Sequence, residues 1–136
     1  MDRLLGRSKN DDVKGDVFSH MLEFSDGLIT HIKHLQDEKD STPDNEVENI
    51  DIKKAVDVIK ILYKKIKQEE RLIRYFGLFP KLKVSIDNQK KHVTAMSLSV
   101  REKRFEDALN LAYQFREMVS GAKIVVESSK SKEEAA

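Results

Sequence analysis

The chain contains no cysteine and no tryptophan. Without cysteine there is no disulfide, no thiolate metal site and no thiol nucleophile. Five glycines and two prolines in 136 residues are too few for the many tight turns of an all-β fold. No apolar run approaches the roughly 18 residues that a transmembrane helix needs. Residues 1–10 lack the apolar core of a secretory signal. These absences together favour an intracellular, cytoplasmic protein. Also missing are a Gly-x-Ser-x-Gly elbow, a phosphate-binding glycine loop and a dinucleotide fingerprint. With no matched acid, base and nucleophile, the expectation is a protein that is not an enzyme and takes no cofactor or small-molecule substrate.

What the chain does have is charge. Asp, Glu, Lys and Arg make up 36% of it, against 39% hydrophobic residues, a balance typical of long helices with much solvated surface. The net charge is only +1, but the charges are segregated. Residues 1–52 carry 6 basic and 13 acidic side chains, residues 53–104 carry 15 and 5, and residues 105–136 carry 4 and 6. Segregation on this scale implies either pairing within the chain or a directed surface field.

The most regular stretch is Ile52 to Phe76. Ile52, Val56, Ile59, Leu62 or Tyr63, Ile66, Ile73 and Phe76 recur at helical spacing, with a gap at Glu69 and Glu70. Lys60, Lys64, Lys67, Arg71 and Arg74 recur at the same spacing on another face. The segment reads as a helix with an apolar front and a basic back. Gly77 suits the left-handed position that ends a helix, Leu78 the hydrophobic contact after it, and Pro80 cannot continue the helix.

Three more helices are predicted around it. Val17, Met21, Phe24, Leu28, Ile32 and Leu35 mark the first, which starts near Asp11, Asp12 or Asp16 and runs to about Lys39. Gly27 within it signals close packing or a bend. Leu82, Ile86, Gln89, Val93, Met96 and Val100 form a heptad-like, coiled-coil seam with one polar member. Phe105, Ala108, Leu109, Ala112, Phe115 and Val119 mark the last helix, which Gly121 ends or which Ala122 to Val126 extend. Residues 1–12 read as a flexible leader, 13–126 as one helical domain, 40–49 as its linker and 127–136 as a disordered tail. Ser41 or Thr42 before Pro43 also suits a helix start within that linker. The short links favour antiparallel neighbours. The fold class is therefore all-α: an antiparallel, up-down four-helix bundle, or a three-helix core with one helix partly detached.

The segment from Arg104 to Phe115 looks like the second helix of a tetratricopeptide repeat, with Phe105, Ala108, Ala112 and Phe115 at the matching spacing. The preceding helix has Ala95-Met96 where that family has Leu-Gly, and no second copy lies 34 residues away, where Arg71 replaces the aromatic. The resemblance implies a tightly packed helical hairpin. Microtubule-interacting-and-transport domains are three-helix bundles of similar look, which would imply a peptide-binding groove.

Candidate sites follow from these patterns. His31, His34 and Glu38 lack the partners that a metal centre in a helical bundle needs, and His20-Met21-Leu22-Glu23 reverses the di-iron motif, so no metal site is expected. Glu69 and Glu70 are adjacent and diverge; one is expected in solvent and the other beside a lysine. Lys60, Lys64, Lys67, Arg71 and Arg74 form the candidate partner-binding stripe, with Phe76 and Phe79 in the aromatic turn beside it. Two readings are open for the stripe: an exposed binding face, or a face covered by the acidic first helix and linker. Two are open for the turn: a plug for the end of the core, or an exposed apolar knob. The function expected is a helical adaptor or assembly subunit that binds another protein, or a second copy of itself, by helix-face packing. The alternative is a binder of nucleic acid or an anionic membrane surface through the basic face of the second and third helices, where Lys90, Lys91, Arg101, Lys103 and Arg104 add to the stripe.

Overall fold

The computed structural model describes residues 17–135. Four α-helices follow one another: α1 (Val17–Asp40), α2 (Lys53–Tyr75), α3 (Phe79–Arg101) and α4 (Phe105–Ala135), with a short 3-10 helix (Asp44–Asn49) between α1 and α2. Each helix packs on its neighbours in sequence, and α1 also packs on α4, so the four close into a ring. This is an up-down four-helix bundle. Among the described residues no helix is detached from it. Among the described residues no helix is long and apolar enough to cross a membrane. The leader over 1–12 and the helix start near Asp11, Asp12 or Asp16 lie outside the described residues.

The core is built from the apolar stripes. Met21, Leu28 and Ile32 of α1 meet Ile59, Leu62, Ile66 and Ile73 of α2, Ile86, Val93 and Met96 of α3, and Phe105, Phe115 and Val119 of α4, all at 2% exposure or less. Side chains removed from water to that degree contribute roughly 1.5–3 kcal/mol each for the larger aliphatic and aromatic ones. In α4 the residues that resemble a tetratricopeptide helix are all core: Phe105, Ala108, Ala112 and Phe115 are buried. The two alanines occupy little volume, which lets the backbone of α4 approach its neighbours.

The links between helices have specific causes. At the end of α2, Leu78 N–H donates to Ile73 O (2.9 Å) and Gly77 N–H to Arg74 O (3.0 Å). Gly77 has φ +71°. This is the double-bonded C-terminal cap that favours glycine. The same pair of bonds ends α3, from Arg104 N–H to Ser99 O (2.8 Å) and from Lys103 N–H to Val100 O (3.0 Å). There the left-handed residue is Lys103, at φ 60°. Its carbonyl accepts a hydrogen bond from Lys39 Nζ (2.7 Å), which ties the α3–α4 link to the end of α1. Pro80 lies in the first turn of α3, where a missing N–H costs nothing.

Four details differ from the sequence expectations. Ser41 and Thr42 do not cap the next helix; their hydroxyls donate back to carbonyls of Asp37 and Glu38 and finish α1. At the start of α2 the cap position is Ile52, and Asp51 just before it accepts from the Lys53 N–H (2.9 Å). Gly27 serves no close packing, since a Cβ there would meet nothing within 4 Å. Finally, α4 passes through Gly121 and continues to Ala135, into the segment that composition marks as a tail. Ala122 and Val126, both buried, prolong the three-and-four spacing beyond Val119.

Candidate functional site

On the outer side of α2 and α3 lies an open groove of about 510 Å³. Ile59 and Val93, each 2% exposed, belong to the core and reach its floor. Tyr63 and Leu98 stand on its walls and remain 40% and 52% exposed. Lys60, Lys64 and Lys67 line the α2 side, and Thr94, Ser97 and Arg101 the α3 side. The antiparallel register explains the composition. The basic back of α2 begins one residue beyond its buried positions, so the lysines rim the groove rather than point away from it. Lys67 Nζ sits 5.6 Å from the Tyr63 ring centroid, a cation–π contact that keeps the lysine beside the apolar wall.

Lys60, Lys64, Lys67 and Arg101 form no ion pair among the described residues, whose ion pairs all involve other cations. The acids of α1 and the linker do not cover the stripe. Among the described residues the one ion pair α1 makes to another helix is Asp26 with Arg116 of α4 (2.6 Å). Among the described residues, four cations around one apolar groove thus have no ion-pair partner.

The upper part of the stripe is organised differently. Arg74 donates to Glu70 through Nη2 (3.1 Å) and Nε (3.3 Å), and its Cζ lies 3.6 Å from the centroid of the Phe79 ring. Lys90 of α3 reaches the other Glu70 oxygen (3.3 Å). Arg74 and Lys90 together hold the Glu70 carboxyl below its ordinary value. Arg71 is exposed and stands outside the groove. Phe76 and Phe79 are half-buried and pack on the core at the end of the bundle. Tyr75 meets Phe76 edge-on, at 5.1 Å and 85°. The structure therefore brings Lys60, Lys64 and Lys67 together with Arg101, and separates them from Arg74, Phe76 and Phe79.

Inside the same helix pair is a polar contact that the sequence expectation misplaced. Glu69 is neither in solvent nor beside a lysine. It is 0% exposed, as is Gln89, and Gln89 Nε2 donates to Glu69 Oε2 at 2.9 Å. The same amide nitrogen lies 3.2 Å from Ser85 Oγ. Glu69 Oε1 and Gln89 Oε1 are buried with no partner. Burial raises the Glu69 carboxyl from 4.5 to about 7, opposed by the Gln89 hydrogen bond and reinforced by Glu70. A raised pKa favours the protonated acid, which turns one carboxyl oxygen into a donor in a place where Gln89 Oε1 is an unpartnered acceptor.

Among the described residues no group of three or more His, Asp or Glu side chains converges to hold a metal ion. His31 is partly buried at the α1–α2 contact with Nε2 unpartnered. Burial, then Lys54 and His34, lower its pKa and favour the neutral ring. Compared with known proteins, the chain matches no family model, no curated protein and no solved structure.

The sequence pattern did not mark Leu98 as part of the site, since it lies off the α3 seam. Its signal was its isolation: an apolar residue between Ser97 and Ser99, three before Arg101. The Glu69–Gln89 contact had a signal too. Both are polar residues at seam positions, and each lies ten residues from Phe79, where the hairpin turns.

Proposed function

We propose that the protein is a non-enzymatic helical adaptor that binds a partner protein in the groove between α2 and α3. The observation that carries this reading is the coincidence of exposed apolar walls, Tyr63 and Leu98, with four cations around them that have no ion-pair partner among the described residues. The cations would raise the encounter rate and select orientation, and the apolar walls would supply burial on contact. A second reading draws on the same cations: they suit the phosphates of nucleic acid or an anionic membrane. The exposed apolar wall favours the protein partner, because a phosphate backbone would leave Leu98 uncovered.

Site-specific photocrosslinking tests the choice. A photoreactive amino acid placed at Leu98 in the source cells should trap a discrete protein adduct that Lys64→Glu abolishes. The same amino acid at Val84, exposed elsewhere on α3, should not. Equal adducts at both positions, or none at Leu98, would refute the protein-binding reading. Salt-sensitive binding to an oligonucleotide or to vesicles containing phosphatidylserine, lost in Lys64→Glu, would establish the second reading in its place.

A further inference from the structure

The chemistry of the groove narrows its occupant. Its two walls are helices whose backbone groups are bonded within their own turns, so an extended peptide would find no strand edge to pair with. A helix needs no such edge and can lay its side chains between those of α2 and α3. The cations are arranged for such a guest. Lys60, Lys64 and Lys67 follow one another at spacings of four and three along one wall, and Arg101 stands on the other. Between them run Tyr63 and Leu98, apolar and exposed. From Lys60 to Lys67 the rise is about 10 Å, or two helical turns. The Tyr63 face is already approached by Lys67 at 5.6 Å, which makes it a poor platform for stacking a nucleobase.

We propose that the groove between α2 and α3 receives an acidic amphipathic helix: apolar residues at spacings of three and four seated against Tyr63 and Leu98, flanked by Asp or Glu that face Lys60, Lys64, Lys67 and Arg101. This rests on the reading of the groove as a protein-binding site and adds the chemistry of the partner. Charge complementarity carries it, since among the described residues none of the four cations is paired with an acid of the chain.

Selection from a random library of peptides about sixteen residues long, enough for four turns, tests the proposal on the full chain. The same selection runs in parallel on Lys64→Glu and Leu98→Ser, each first shown to be folded by circular dichroism. The expected result is enrichment of acidic sequences with apolar residues at helical spacing, which become helical on binding. Their binding should weaken at least about tenfold in either variant, and with added salt in the unaltered chain. Enriched peptides that depend on Leu98 but carry no excess acid would overturn the acidic partner while leaving the protein-binding groove in place. No groove-dependent enrichment would overturn the proposal, and the Leu98 crosslink decides separately whether the groove takes a protein at all. A concentration-dependent dimer in sedimentation that Lys64→Glu abolishes would make a second copy the occupant and also overturn it.

Discussion

Replacing Glu69 by glutamine tests whether the core of this bundle holds a proton. In the folded chain burial raises the Glu69 carboxyl from 4.5 to about 7. The sign follows from linkage. Between those values the folded state binds a proton that the unfolded chain releases, so stability falls as pH rises. The contribution is whole below the unfolded value and is lost progressively until the pH passes the folded one. A separation of about 2.5 pH units corresponds to roughly 3 kcal/mol at 1.36 kcal/mol per unit. Glu69 is fully buried, so solvent screening does not reduce it.

Glu69→Gln keeps the shape and removes the titration. Its amide N–H can donate where the acid O–H does, toward the unpartnered Gln89 Oε1. Urea unfolding followed by far-UV circular dichroism across about pH 5 to 8 would give the difference in stability between variant and parent. That difference should grow in favour of the variant by about 2.5 kcal/mol across the range, a shift on the order of 10 °C in Tm at the upper end. Taking the difference cancels the titration of groups common to both proteins. A difference that stays flat with pH would refute the reasoning, because Glu69 would then titrate alike in the folded and unfolded chains.

Backbone positions give predictions of opposite sign for similar changes. Gly27→Ala should stabilise by about 0.5–1 kcal/mol, since Gly27 lies within α1 and a Cβ there meets open space. Gly77→Ala should destabilise by about 1 kcal/mol or more, since Gly77 holds φ +71°. Lys103→Gly should stabilise by about 0.5–1 kcal/mol by relieving the left-handed residue at φ 60°. Urea midpoints rank the three, and any reversal of sign would reject the stated cause. Lys64→Glu with Arg71→Glu should leave stability within about 0.5 kcal/mol, because neither residue has an ion-pair partner among the described residues. Cooperative unfolding at a much lower midpoint would show that the stripe is covered within the chain.

The fold could be read from the chain because period and punctuation agree. Ile59, Ile66 and Ile73 set the face of α2, and Gly77-Leu78 ends it with both expected bonds. The end of α4 was less legible because composition and spacing disagree there. Gly121 and the polar residues after Glu127 signal a stop, whereas Ala122 and Val126 continue the buried face. The basic stripe was legible as a row on one helix, but the groove was not. It depends on where Leu98 and Arg101 fall beside α2, which the pattern of a single helix does not contain. Glu69 was misplaced for a related reason. A carboxylate is ordinarily too costly to bury without a cation, and only the position of Gln89 across the hairpin makes a neutral acid tenable.

That same contact bears on the groove. Glu69 and Gln89 meet at one register of α2 against α3. Sliding either helix by one turn, about 5.4 Å, would set each polar group against an apolar neighbour. Each unmet group would then cost about 1–3 kcal/mol. The aliphatic residues of the seam discriminate less, since Ile, Leu and Val substitute for one another at modest cost. The polar pair is therefore the part of the interface most sensitive to register, as a lone polar seam residue is in a coiled coil. Register is also what brings Lys60, Tyr63 and Lys64 of α2 to the same groove as Thr94, Leu98 and Arg101 of α3. A core acid that lowers stability at neutral pH thus has a compensating role. It fixes the alignment on which the outer groove, with its walls and its cations, depends.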